Sequence, residues 1–349
     1  MFYWISFIII ALFFCYISLE KKLDVRVRKF FQAALIFTLV YFSAFRDGLG
    51  QDYENYYNHM AYGMYNKFTF VEPAHSLFSN IVYFTSLSPI FYFLIAALIT
   101  NYFFIKSFYR YSNTFLIVFI FLTGTIFYFN TFNLIRQMCA ASIFMYSIQF
   151  IEKRKFAYFL ISVLLASSFH ISAVFLIPTY FIAHRSYSKI KLLLILFISI
   201  FAGQIIRFDL SSFIEQFIGL YDSYFEGELK IAESGYITLF FNIVLILLIF
   251  NKKKNKEIFN IIPFNLFFTG VLLYNLVPSF FYLSRFAIYF VVFAPIVLPT
   301  LDIIFPKRVW TFILLLGFGT VFLAGLYYNL DNPKIIPSKM LELRSFFDS

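Results

Sequence analysis

Uninterrupted apolar runs close to twenty residues long recur along this sequence, and they constrain its fold more than any other feature. A run of that length is what an α-helix needs to cross the hydrocarbon core of a bilayer. Composition agrees, because 61% of the 349 residues are hydrophobic and only 13% are charged. Soluble globular proteins carry about 25% charged residues. The runs do not alternate with polar residues, which disfavours a β-barrel. We therefore expect an all-α, polytopic transmembrane helical bundle.

Eleven apolar runs are candidate membrane segments. They cover residues 1–19, 30–45, 89–105, 115–130, 134–151, 156–183, 192–206, 236–250, 258–277, 280–300 and 309–328. The stretch 74–87 is too short to span comfortably and suits an interfacial or re-entrant segment. Residues 156–183 are long enough for a tight pair of short helices with His170 near the outer turn, and a single long tilted helix is the alternative.

Six connecting loops are basic: 20–30, 106–110, 152–155, 184–191, 251–257 and 302–308. They hold most of the 28 Lys and Arg residues and few of the 18 Asp and Glu residues. Since basic loops stay in the cytoplasm, the pattern predicts about twelve crossings, with both termini outside and longer outer loops at 46–73 and 207–234. The net charge of +10 then reflects membrane topology, and we expect no nucleic-acid partner. We expect one integral membrane domain, 1–349.

Four side chains with a positive or titratable group fall on the outer side under this topology: Arg46, Arg136, His170 and Arg285. Charge inside a membrane costs several kcal/mol, so such residues are functional candidates. Each also has a structural interpretation, such as snorkelling at a helix end, anchoring at the interface, an ion pair, or a buried histidine at a helix bend. The planar fork of arginine matches phosphate and pyrophosphate. Together these residues indicate an anionic ligand.

The outer loop 46–73 adds carboxylates and tyrosines. Asp47 and Asp52 lie five residues apart around two glycines, and Asp52 and Glu54 have the Asp-x-acid spacing of some metal-dependent membrane glycosyltransferases. The tyrosines fit either sugar-stacking platforms or an interfacial aromatic belt. His59 and His75 have no recognisable zinc spacing. We expect neither a bound metal nor a cofactor.

Four ordered segments of the chain resemble the EpsG-like family, a branch of the Wzy-type polysaccharide polymerases. They are 45–53 (FRDGLGQDY), 133–140 (NLIRQMCA), 167–173 (SSFHISA) and 283–286 (LSRF), the last followed by Tyr289. Glu72 and Pro73 also resemble a Glu-Pro pair that precedes a helix in the family. The resemblance extends over most of the chain.

The resemblance implies an enzyme that joins polyprenyl-pyrophosphate-linked oligosaccharide repeat units at the outer face of the bacterial cytoplasmic membrane. The growing glycan moves to the non-reducing end of another lipid-linked unit, and polyprenyl pyrophosphate leaves. Because pyrophosphate is already an activated leaving group, no nucleotide sugar, ATP or metal is required. A chain-length regulator is left open as a protein partner. The candidates for binding pyrophosphate and glycan are Arg46, Arg136, Gln137, Arg285 and Tyr53, and the candidate general bases are His170, Asp52 and Asp47.

Three alternative functions stay open from the sequence. A glycan ligase would transfer the finished glycan to a different acceptor. A flippase or transporter of lipid-linked glycan would share a cationic cavity, but it should show repeat symmetry or broken helices near the midplane. A membrane O-acyltransferase would use His170 as its base, but its acyl donor arrives from the cytoplasmic side, opposite to the arginines.

Overall fold

The computed structural model describes residues 2–46, 52–62, 71–124, 126–205, 235–251, 261–276, 281–303 and 306–328. Within these residues the chain forms α-helices and two short 3-10 helices, and it forms no β-strand. The all-α expectation is confirmed. In the described part of the chain, three helices are long and apolar enough to cross a membrane, with mean hydropathies of 1.2 to 1.6. They are Val25–Ala44, Ile90–Phe108 and Lys307–Ala324. About twelve crossings and outer termini remain predictions.

The helices follow the apolar runs closely. In chain order they are α1 (Phe2–Leu19), α2 (Val25–Ala44), α3 (Tyr53–Tyr62), α4 (Pro73–Phe84), α5 (Ile90–Phe108), α6 (Thr114–Thr123), α7 (Asn130–Asn133), α8 (Ile135–Glu152), α9 (Phe156–Phe169), a 3-10 helix (Ile171–Leu176), α10 (Thr179–Ile182), α11 (Lys189–Ile205), α12 (Gly235–Asn251), α13 (Ile261–Leu276), α14 (Phe281–Val291), α15 (Ala294–Val297), a second 3-10 helix (Leu298–Ile303) and α16 (Lys307–Tyr328). Contacts divide the chain into two compact units, residues 1–178 with 308–349, and residues 179–307.

The first unit is built on a row of helices. In this row α1 packs on α2, α2 on α5, α5 on α8, and α8 on α9. Aromatic side chains fill the row, and the rings of Phe7 and Phe42 stack with centroids 4.0 Å apart. Tyr128 is fully buried there, and its hydroxyl donates to the carbonyl oxygen of Leu39 at 2.8 Å. A buried tyrosine hydroxyl needs such a partner, so this bond fixes the segment before α7 against α2.

Several helix termini lie close together at one end of this row. Arg46 follows the C-terminus of α2 and contacts Phe93 in the first turn of α5. Glu72 precedes α4 and contacts Arg136 at the start of α8 and His170 at the end of α9. Charged and polar side chains from five segments therefore meet at one end of the first unit.

Two local features differ from the helices that the apolar runs alone predict. The α-helix α9 ends at His170, whose backbone is extended (φ −150°, ψ 114°), and the chain continues as a 3-10 helix. The alternative of a single long helix over 156–183 is therefore wrong. The segment 46–73, expected as a loop, contains α3. The buried stripe of α3 consists of Tyr53, Tyr56 and Met60, which have helical spacing. Three residues are too few to predict a helix from the sequence.

In the second unit, a polar network joins α11, α12 and α13. Asn275 donates from Nδ2 to the hydroxyl of Ser199 at 2.8 Å, and Asn242 donates from Nδ2 to Oδ1 of Asn275 at 2.7 Å. All three side chains are buried. Interhelical hydrogen bonds of this kind hold apolar helices together where the hydrophobic effect between them is weak.

Several predicted features lie outside the described residues. They are the outer loop 207–234, nearly all of the basic loop 251–257 and the outer tail 329–349. The expectation of one membrane domain over 1–349 stays a prediction.

Helices α11 and α13 approach each other closely at Gly203. A Cβ atom there would lie 1.9 Å from the backbone oxygen of Asn275, which no side-chain movement relieves. Gly203→Ala should therefore lower the free energy of unfolding by about 1–3 kcal/mol. Gly317→Ala is the control, because a Cβ meets nothing within 4 Å at that position of α16. Thermal aggregation of the detergent-solubilised protein measures both, and equal midpoints for the two variants would contradict the packing described.

Candidate functional site

One carboxylate joins two helix ends in the first unit. Glu72 occupies the N-cap position of α4, from which an acidic side chain usually accepts a hydrogen bond from the first helical turn. Its side chain makes no such bond. Instead, Oε2 lies 2.5 Å from Nη1 of Arg136, and Oε1 lies 2.8 Å from Nδ1 of His170. Oε1 also accepts from the backbone N–H of Ile171 at 3.1 Å.

Arg136 is the second residue of α8. The positive end of the helix dipole makes this an unfavourable place for a cation, and the contact with Glu72 compensates for it. Its Nε donates to the hydroxyl of Tyr56 at 2.9 Å. The side chain is 30% exposed. Within the described residues, its remaining N–H groups, two on Nη2 and one on Nη1, make no contact. They therefore stay available to an anion.

His170 sits where α9 breaks. The break removes the regular helical partner of the following N–H group, and Glu72 supplies an acceptor for it at Ile171. The imidazole side chain is 26% exposed. Its Nδ1 faces Glu72, and its Nε2 has no partner in the part of the chain that the structure describes. One ring nitrogen of this partly exposed side chain is thus not used by the contact with Glu72.

Glu72 is charged at every physiological pH. Burial raises the pKa of its carboxyl group. The hydrogen bond from His170, the positive charge of Arg136 and the N–H of Ile171 together outweigh burial and lower the pKa to about 2. An ionised carboxylate only accepts hydrogen bonds, so each of its three contacts must come from a donor.

Arg46 occupies a second, deeper part of this end of the unit. It is only 2% exposed. Its Nη2 donates to the carbonyl oxygen of Phe132 at 3.0 Å, and its Nη1 donates to that of Ser43. The guanidinium lies 5.0 to 5.7 Å from the ring centroids of Tyr53, Phe93 and Phe132. These contacts suit an arginine that ties α2, α3, α5 and α7 together.

Aromatic side chains connect the two arginines. Tyr53 stacks on Phe93, with centroids 4.9 Å apart. One residue earlier in α5, Tyr92 stacks on Tyr56 at 6.0 Å, and its hydroxyl lies 2.8 Å from Nδ1 of His75. Tyr56 in turn accepts the hydrogen bond from Arg136. The polar end of the first unit is one continuous cluster of charged and aromatic side chains.

The other predicted site residues are distributed differently. Asp52 immediately precedes α3, and its carbonyl oxygen accepts from the N–H of Tyr56 at 3.1 Å. Gln137 is buried beside Arg136. Arg285 is exposed on α14 in the second unit, and Asp47 lies outside the described residues. Among the residues that the structure describes, no group of three His, Cys, Asp or Glu side chains is placed to hold a metal ion.

The sequence interpretation assigned no role to Glu72 or Tyr92 in this cluster. The available signal was the Glu-Pro pair before α4, together with the rule that a cation near the membrane requires a partner. That rule predicts that a carboxylate lies near Arg136, and it does not identify which Asp or Glu supplies it.

The buried contacts of Arg46 generate a stability prediction. A lysine ammonium is a compact charge, so it cannot bond two carbonyl oxygens while lying flat among three rings. Arg46→Lys should lower the free energy of unfolding by about 2–3 kcal/mol, the value of one or two charged hydrogen bonds. The matched variant Arg136→Lys should cost under about 1 kcal/mol, because its ion pair is partly exposed. Thermal denaturation in detergent compares them, and an unchanged midpoint for Arg46→Lys would remove its structural role.

Comparison with known proteins identifies the family of the chain. No curated protein and no solved structure matches the chain significantly. The model of the EpsG family matches residues 29–339, which include Arg46, Glu72, Arg136, His170 and Arg285. The resemblance inferred from the four ordered segments is thereby confirmed. The chain belongs to the EpsG family, a family of Wzy-like membrane proteins of polysaccharide polymerisation.

Proposed function

We propose that this protein joins polyprenyl-pyrophosphate-linked oligosaccharide repeat units at the outer face of the bacterial cytoplasmic membrane. The growing glycan is transferred to the non-reducing end of a second lipid-linked unit, and polyprenyl pyrophosphate is released. Membership of the EpsG family supports polysaccharide polymerisation at the family level. The distribution of basic loops supports the outward placement of the cluster.

One observation carries the assignment of the site. Arg136 and His170 come from different helices, and the two oxygens of Glu72 hold them side by side. Each keeps an outward nitrogen that no contact in the described chain uses. A cation that binds a leaving pyrophosphate and a base that receives a proton are the two groups that this reaction needs within reach of one sugar.

The roles follow from where charge moves. The acceptor hydroxyl oxygen attacks the anomeric carbon of the donor glycan and loses its proton to Nε2 of His170, which acts as general base. The bond between the anomeric carbon and the pyrophosphate oxygen breaks, and that oxygen keeps the electron pair. Arg136 stabilises the developing negative charge through its uncommitted N–H groups.

The remaining candidates fill supporting roles in this proposal. Arg46 and Tyr53 hold α3 against α5, which places Tyr56 on Arg136. Gln137 and Arg285 stay proposed ligands of glycan or pyrophosphate, and Asp52 and Asp47 stay alternative bases. His170 is preferred to Asp52, because the contact with Glu72 already orients its ring and uses only Nδ1.

Arg136→Ala should abolish polymer while the protein remains in the membrane. Removing one donor to a developing oxyanion costs on the order of 10²- to 10³-fold in rate. Arg136→Lys should fail as well, because a single ammonium cannot bond Glu72, Tyr56 and pyrophosphate in the same geometry. The measurement is a gel of surface glycan from a deletion strain complemented with each variant.

Arg110→Ala is the matched control. Arg110 pairs with Glu152 at the opposite end of α8, and the two side chains are 26% and 28% exposed. This variant should restore the full ladder. A normal ladder with Arg136→Ala would reject the proposed pyrophosphate contact. In the deletion strain, loss of even the single repeat would favour a ligase or flippase, and a normal ladder with altered acylation would favour an acyltransferase.

A further inference from the structure

We infer that Glu72 is a positioning residue that holds His170 in a single tautomer, with the proton on Nδ1 and the lone pair on Nε2. This inference rests on the proposed function of the site, because it matters for catalysis only if His170 is the base. It assigns a role to a residue that the sequence interpretation did not place in the site.

The contact between Glu72 and His170 has a fixed hydrogen-bond direction. Glu72 is an anion at neutral pH, so its Oε1 accepts and Nδ1 of His170 must donate across the 2.8 Å separation. A neutral imidazole carries one proton, which leaves Nε2 as the basic nitrogen. That nitrogen belongs to a side chain that is 26% exposed. Without the carboxylate, the ring would populate both tautomers.

Glu72 also fixes the position of the His170 ring. Oε1 contacts both the ring of His170 and the N–H of the next residue, Ile171. The carboxylate is thus fixed to the backbone at the point where α9 breaks, and the ring is fixed to the carboxylate. A free histidine side chain would lose part of its rotamer entropy on reaching this geometry during the reaction. Here the side chain loses that rotamer entropy when the protein folds, as in other sites whose base is oriented by an acid.

Glu72 also positions Arg136. The second oxygen of the same carboxylate, Oε2, contacts Nη1 of Arg136. Glu72 therefore sets the spacing between the base and the cation. It also offsets the charge of Arg136, which weakens binding of the anionic substrate in the ground state. Glu72→Gln should consequently lower kcat strongly and reduce KM, whereas a loss of folded protein would lower the maximal rate and leave KM unchanged.

The experiment measures the tautomer directly. The chain has only 4 His residues, so a full-length sample with ¹⁵N-labelled histidine in lipid nanodiscs gives a simple spectrum. His170 is assigned by the signals that disappear in His170→Gln. In the wild type, His170 should show a protonated Nδ1 and an unprotonated Nε2 at pH 7.5. In Glu72→Gln the two tautomers should mix, because an amide can donate as well as accept.

Glu152→Gln is the matched control, since it removes a carboxylate from the ion pair at the far end of α8. It should leave the His170 signals and the glycan ladder unchanged. Glu72→Gln should reduce polymer by up to about 10⁴-fold, the loss in rate seen when a triad histidine loses its acidic partner. Glu72→Asp keeps an acceptor-only group and should recover part of both the tautomer and the activity.

Two outcomes separate this inference from the proposed function. A wild-type His170 with its proton on Nε2, or a spectrum unchanged by Glu72→Gln, would overturn the role of Glu72 whatever the ladder shows. The expected tautomer combined with a normal ladder in His170→Gln would reject His170 as the base and retain the contact itself.

Discussion

The arrangement of the first unit depends on one ionised carboxylate that three donors share. The carboxylate stands at the start of α4, and its partners come from two elements distant in sequence, the start of α8 and the break after α9. An unpaired charge at such a place costs several kcal/mol. These helix ends therefore cannot separate without leaving the carboxylate of Glu72, whose side chain is 9% exposed, without its charged partners. The same requirement that holds the helix ends together also places a guanidinium and an imidazole side by side.

The aromatic side chains make this arrangement rigid. Arg46 would be as costly to bury as Arg136, but its donors meet two carbonyl oxygens and its flat faces meet three rings. The resulting contacts fix α3 over the first turn of α5, and Tyr56 then reaches Arg136 from that helix. The rings around Arg46 leave it only 2% exposed, and this burial strengthens its electrostatic contacts. The many aromatic residues of the chain thus contribute to the site as well as to the membrane-facing surface.

Much of the fold was predictable from the sequence. Runs such as 89–105 and 309–328 correspond to α5 and α16, because a long apolar run has few alternatives to a helix. The break at His170 was anticipated from loop charge. The helix α3 was missed, since ten mostly polar residues give only a short apolar stripe. The positions of Arg136 and His170 were predicted as candidates from their cost in a membrane. Their common partner was not, because which acid neutralises them is decided by tertiary contacts between segments far apart in the chain.

The separation of Glu72 from its partners has a consequence for biogenesis. Arg136 and His170 follow it by 64 and 98 residues. During synthesis from the N-terminus, the carboxylate therefore leaves the ribosome well before either partner exists. Until then the carboxylate of Glu72 must stay in water or at the lipid headgroups, since no partner neutralises its charge. The cluster closes only after α8 and the break after α9 have been synthesised, so the order of translation itself keeps these contacts unformed until the helices that carry them exist.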